Sequence, residues 1–138
     1  MANTGQAVIQ AFPCEDDMAL ADLVEKGIPV ETLRGLSSIL HLTPVAFAAT
    51  LGIPRRTAAR RLTGNEKLSP NESERALRIV RLLHIAEELF VDGQAASDWF
   101  KRPLSALDGK SPLEMCRTEP GARAVEQLLG RIEHGVFG

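Results

Sequence analysis

An all-α fold is what this 138-residue chain predicts, and three observations carry the prediction. Aromatic residues make up only 4% and tyrosine is absent, so the core must be built mainly from Leu, Ile, Val and Ala. Thr43-Pro44, Ser69-Pro70 and Ser111-Pro112 each set a hydroxyl acceptor just ahead of a proline, which needs no amide hydrogen in a first helical turn. Between these marks the apolar residues recur at three- and four-residue spacing, the period of a helix packed on one side. A 44% hydrophobic composition at this length supports one compact unit, or two small ones packed together.

The elements follow in order. Residues 1–14 are weakly patterned, and Gln6 to Phe12 fits a short strand or a mobile arm equally. Asp16 and Asp17 suit a helix N-terminus and Gly27 its end, with Leu20 and Val24 on the buried side. Pro29 opens a second helix over residues 29–41, with Leu33, Leu36, Ile39 and Leu40 facing inward. Thr43 caps a third, whose inner face is Phe47, Ala48 and Leu51. Gly52 supplies the positive φ of a tight turn, Ile53 plugs the angle between helices, and Pro54 restarts the chain as helix to about Leu62. This is helix-turn-helix grammar: the small Ala48 allows close approach, and the second helix carries an exposed cationic face.

Ser69-Pro70-Asn71-Glu72 has capping-box spacing and should open a long helix to about Val91. Leu77, Ile79, Val80, Leu82, Leu83, Ala86, Leu89 and Phe90 give it a wide apolar surface, and Glu74, Arg78, Arg81 and Glu88 a narrow polar stripe. At 1.5 Å per residue it reaches roughly 30 Å, the central strut of the molecule. His84, beside the stripe, reads as an ordinary surface histidine. Asp92-Gly93 starts a shorter helix with Trp99 in or over the core. Ser111-Pro112-Leu113-Glu114 repeats the capping box, and Thr118-Glu119-Pro120 starts a last helix with Val125, Leu128, Leu129 and Ile132 inside. Glu119 and Arg123 are spaced for an outer i,i+4 pair, and Gly130 is expected where another backbone comes close.

The net charge of −2 hides an uneven distribution. Residues 1–40 carry six acidic side chains against two basic ones, whereas residues 41–67 carry five basic ones against a single Glu66. A basic middle in an acidic chain is an electrostatic footprint for nucleic acid. On the Pro54 to Leu62 helix, Arg55, Arg56, Thr57 and Arg60 face DNA in a major-groove reading. The period turns Arg61 toward a backbone phosphate or an acidic neighbour. Arginine's planar fork binds phosphate or a guanine edge bidentately, while Ala58 and Ala59 donate no hydrogen bonds. Catalysis finds no support: there is no phosphate-binding glycine loop, no nucleophile with a base, and no metal-ligand cluster, so no cofactor is expected. Cys14 and Cys116 stand apart and read as free thiols. No apolar run reaches the roughly 20 residues of a membrane span, and no signal-like N-terminus is seen, so no membrane partner and a cytoplasmic location are expected.

One ordered set of motifs carries more information than composition. Trp99-Phe100-Lys101-Arg102-Pro103, then Gly109-Lys110-Ser111-Pro112-Leu113, then Arg117-Thr118-Glu119-Pro120-Gly121-Ala122-Arg123 precede a final Arg131-Ile132-Glu133-His134-Gly135-Val136-Phe137. From about Leu68 to Phe137 the chain resembles the toxin-binding domain of the Xre/MbcA/ParS antitoxins, bacterial proteins that neutralise RES-domain toxins. The helix-turn-helix resembles that of Cro-like Xre repressors, with Arg61 departing from the apolar residue often found near the helix end. The resemblance implies a cognate RES-domain toxin that consumes NAD, a C-terminal region that covers its cofactor pocket, and a DNA-binding region that autoregulates the pair's promoter. Carried onto this chain it implies a toxin-facing surface of Arg131, Glu133, His134, Gly135, Val136 and Phe137. The expected organisation is self-association through residues 1–40 into a homodimer or larger assembly, a helix-turn-helix at 41–67 and a toxin-binding domain at 68–138. The alternative is a stand-alone transcriptional regulator whose C-terminal domain oligomerises or senses a ligand.

Overall fold

A computed structural model describes residues 12, 13, 15–90 and 92–135, so the Gln6 to Phe12 expectation falls almost wholly outside the described residues. The described residues form eight α-helices and a single 3-10 turn. These are α1 (Asp17–Lys26), α2 (Val30–Ile39), α3 (Pro44–Thr50), α4 (Arg55–Gly64), α5 (Pro70–Leu89), α6 (Gly93–Lys101), the turn Ser105–Leu107, α7 (Pro112–Met115) and α8 (Glu119–Glu133). Among the described residues there is no strand; isolated bridges join Pro29 to Lys67 and Leu104 to Lys110.

The caps form where the sequence places them. Asp16, Thr43, Asp92 and Thr118 each accept a hydrogen bond from the amide three residues on. Ser69 with Glu72 and Ser111 with Glu114 close full capping boxes. Two starts shift by one residue: Pro29 and Pro54 are themselves N-caps, outside the first turn. The fourth helix also runs two residues past Leu62, until Asn65 turns left-handed at φ 53°.

α5 is the strut. It packs on α1, α6 and α8, while α2 packs on α3 and α6, and α7 joins α6 to α8. Ala76, Ile79, Val80, Leu82, Leu83 and Ala86 are buried along α5, and Leu33, Leu36, Phe47, Leu51, Phe100, Val125 and Leu129 continue the same core through its neighbours. Burying one such Leu, Ile or Phe side chain stabilises the fold by about 1.5–3 kcal/mol. The strut stops at Leu89, short of the expected Val91, because Phe90 leaves the helix with extended dihedrals. Its ring then meets Trp99 at 5.7 Å between centroids, and Trp99 meets Phe100 edge-on at 5.4 Å. Trp99 is a core residue.

The segment after α4 folds back on the start of α2. Leu68 donates its amide to the Ile28 carbonyl, and Ile28 donates to the buried Ser73 hydroxyl on α5, both at 2.9 Å. These bonds satisfy polar groups that burial would otherwise leave without water. They also fix where α5 begins relative to the start of α2.

Two sequence expectations fail at α8. Glu119 pairs with Arg78 on α5 at 3.2 Å rather than with Arg123. Arg78 is only 13% exposed and also binds Glu74 at 3.1 Å, so a tertiary, nearly buried partner wins over an exposed local one. Nor does any backbone of the described residues approach Gly130: a methyl group there would meet nothing of them within 4 Å. Gly121 is the tight position, where a Cβ would lie only 1.9 Å from the Met115 carbonyl oxygen. That clearance lets α8 start directly against the end of α7.

Gly121→Ala is therefore expected to destabilise the chain by about 1–3 kcal/mol through overpacking. Gly130→Ala is expected to stabilise it by about 1 kcal/mol through helix propensity. Urea midpoints of the two variants check both signs. Burial pushes the Cys116 thiol up to about 12, so native chain near pH 8 should alkylate there only after unfolding, as peptide mass mapping would show.

Candidate functional site

The helix-turn-helix is assembled by small residues and backbone bonds. Ala48 is fully buried, and its carbonyl accepts the amides of Leu51 and Ile53 at 3.0 Å each. Gly52 takes φ 79°, Ile53 plugs the angle, and Ala58 of α4 is buried against it. The Arg75 guanidinium donates to the Leu51 carbonyl at 3.1 Å, capping α3 from the strut.

The far end of α4 is tied down in the same way. Arg34 on α2 donates to the Leu62 carbonyl at 2.7 Å. Arg61 donates to the Lys67 carbonyl at 2.9 Å and to Oε2 of Glu72 at 3.4 Å. Its Nε lies 3.1 Å from Glu72 Oε1, close enough to pair charges but out of line for a hydrogen bond. With side chains only 18% and 13% exposed, this pair is held away from solvent. Of the two directions the period allowed Arg61, the structure takes the acidic neighbour, and the residue leaves the outward cationic set.

What remains is the outer face of α4. Arg55, Arg56, Ala59, Arg60 and Thr63 are exposed, and Thr57 is half-buried. Among the described residues Arg55 and Arg56 have no ion-pair partner, while Arg60 makes a loose, exposed contact with Glu66 at 3.6 Å. Pro54 offers no side-chain cap to the first amides of α4. Guanidinium groups on the exposed face of a helix whose N-terminus lacks a side-chain cap are donors suited to phosphate oxygens and base edges.

The second expected site is only partly on view. Arg131, Glu133, His134 and Gly135 are exposed at the end of α8, where Gly135 turns with φ 72°. Val136 and Phe137 lie outside the described residues. The fully buried Val125 and Leu129, with the partly buried Leu128 and Ile132, hold α8 to the core behind them. Among the described residues no group of three or more His, Cys, Asp or Glu side chains could hold a metal ion. Among the described residues no helix is long and apolar enough to cross a membrane.

Sequence reasoning missed three anchoring arginines, Arg34, Arg75 and Arg78. Each reads locally as a solvated helix position, and only the tertiary fold brings a carbonyl or carboxylate to it. A charged residue flanked by buried neighbours, as Arg78 is by Leu77 and Ile79, was the only local sign.

Fold and site together define a helical protein with a helix-turn-helix module and a second helical module built on one shared strut. Residues 19–81 match the Antitoxin Xre-like helix-turn-helix domain, and residues 86–135 match the Antitoxin Xre/MbcA/ParS C-terminal toxin-binding domain. The Antitoxin Xre of Yersinia enterocolitica is 34% identical over 127 residues, covering 91% of this chain and 86% of its own length. The Antitoxin Xre of Photorhabdus laumondii is 34% identical over 126 residues, 91% and 85% of the two chains. A Sphingobium protein named Prs ADP-ribosylating antitoxin is 27% identical over 124 residues, 83% and 78%. The chain belongs to the Xre antitoxin family.

Arg61 and Arg56 provide a contrast within one helix. Arg61→Ala should lower stability by about 1–3 kcal/mol by leaving Glu72 and the Lys67 carbonyl without their partner. Arg56→Ala should leave thermal unfolding within about 0.5 kcal/mol of the parent, as an exposed, unpaired side chain does. Calorimetry on both variants makes the comparison.

Proposed function

We propose that this antitoxin neutralises a cognate RES-domain toxin that consumes NAD, covering its active site with the C-terminal region, and that it binds its own promoter. The observation that carries the reading is the pairing, on one strut, of a helix-turn-helix with unclaimed arginines and a module of the toxin-binding type. ADP-ribosylation, which the Sphingobium relative carries in its name, takes NAD as donor, and that favours a NAD-consuming partner. An exposed end with Arg131, Glu133 and His134, a turning Gly135 and then Val136 and Phe137 offers polar groups and an apolar anchor for a pocket built around a charged, ring-bearing cofactor. No catalytic role is assigned to any residue of this chain.

On DNA, Arg55, Arg56 and Arg60 are the contacts, Thr57 adds a hydroxyl at the edge of the face, and Arg61 holds the helix. One short helix with two alanines binds weakly alone, so two copies on paired half-sites are the working form. In residues 1–40 the faces of Leu20, Val30, Leu33, Leu36 and Ile39 are buried within the chain. Among the described residues of this region, self-association is left the outer side of α1, where Met18 is 82% exposed beside the exposed Asp17, Asp22 and Glu25.

With roughly two to four phosphates contacted per protomer, log affinity for the promoter should fall with log salt at a slope of about −4 to −7. Replacing Arg55, Arg56 and Arg60 together by alanine should nearly abolish promoter binding and leave toxin binding intact. Removal of Glu133 through Gly138 should do the reverse. The core stripe of α8 survives that truncation, so the shortened chain should bind its promoter yet protect cells poorly, with Phe137→Ala a milder case. Cellular NAD and growth during toxin expression are the readouts. Full protection by the truncated chain would move the inhibitory contact elsewhere.

A further inference from the structure

The outward face of α8 holds two features that the fold itself does not use. Arg123, Gln127, Gly130, Arg131 and His134 are spaced four, three, one and three residues apart, which keeps them on one side of the helix. Arg123, Gln127, Arg131 and His134 are exposed, and among the described residues neither arginine has an ion-pair partner. Two of the flanking carboxylates are turned away: Glu119 goes to Arg78 at 3.2 Å and Glu126 to Arg81 at 3.6 Å, both on α5, which leaves the exposed Glu133 at the helix end. The helix therefore presents Arg123 and Arg131 to solvent without a carboxylate partner among the described residues, in a chain of net charge −2.

Gly130 is the second feature. A glycine inside a helix costs about 1 kcal/mol relative to alanine, and none of the described residues lies within 4 Å of the place a methyl would occupy. Gly121, by contrast, is required by the Met115 carbonyl. A notch with no internal occupant, in the middle of a basic stripe, fits the close approach of another chain's backbone.

The geometry points to this face as an interface for an acidic segment of the toxin. The segment's backbone crosses α8 at Gly130, and its carboxylates meet Arg123 and Arg131, about 12 Å apart along the axis. The inference rests on the antitoxin reading and extends the contact surface from the chain's end back along α8. The stripe is continuous with the expected contacts at Arg131 and His134, and it lies wholly within the toxin-binding match at residues 86–135. That favours a protein partner over DNA.

The test uses the full chain and the product of the neighbouring gene, with affinity measured at low and high salt. Arg123→Glu with Arg131→Glu should weaken binding by about tenfold or more, mainly through slower association, and remove most of its salt dependence. Gly130→Leu should weaken binding comparably while raising the melting temperature of the free chain, a pairing of signs that a purely structural glycine would not give. Unchanged affinity in both variants, against a parent chain that binds, overturns the interface. Loss of promoter binding or of self-association in the charge-reversed variant, with toxin affinity intact, assigns the face to DNA or to a second copy and overturns it equally. A parent chain that does not bind the neighbouring product at all defeats the antitoxin reading first.

Discussion

The start of α5 is the constraint on which the rest of the molecule depends. Ser69 and Glu72 close the capping box that fixes where the helix begins, and the same Glu72 carboxylate holds Arg61 of α4. One acidic side chain thus sets both the first turn of the strut and the end of the outward helix. A few residues on, Ser73 ties α5 to Ile28 and Arg75 ties it to the end of α3. The helix-turn-helix is bolted to the strut through the Leu51 carbonyl and the Glu72 carboxylate.

The other end of the same helix serves the second module. Arg78 and Arg81 reach across to Glu119 and Glu126, while Ala76, Val80 and Leu83 are buried in the core that α8 shares. The two family matches end and begin within α5, at residues 81 and 86. A 20-residue helix buried along its length is a rigid connector. Arginine suits this work because its five donors can serve a carbonyl and a carboxylate at once while its aliphatic stem packs on the core. The half-buried Arg61, Arg75 and Arg78 are claimed internally, as is the exposed Arg34, whereas Arg55, Arg56, Arg123 and Arg131 are exposed with no ion-pair partner among the described residues.

How legible all this was depends on range along the chain. The caps at Asp16, Thr43, Ser69, Asp92, Ser111 and Thr118 are local, three residues from acceptor to amide, and all could be read from the sequence. The aliphatic core and the turn at Gly52 were legible for the same reason. Glu119 was not: its local option, Arg123, was visible, but its partner lies 41 residues away on another helix. Gly121 and Gly130 look alike in sequence, and only the position of the Met115 carbonyl separates a required glycine from a free one. The outward face of α4 was legible from charge and period. The inward turn of Arg61 was left open because the acidic neighbour sits on a different helix, 11 residues on.

This architecture determines how the two binding activities can be separated by substitution. A change in the shared core, such as one that empties the space around Leu83, acts on the folding unit and lowers DNA and partner binding together. The exposed arginines make few or no internal contacts, so their loss can remove one activity without the other. Arg61 and Arg78 sit between these cases, since each holds a binding helix to the strut without being free to touch a ligand. Their substitution should misplace one helix while leaving the other module in register. A lost activity is thereby traced to contact or to positioning by asking whether stability fell with it.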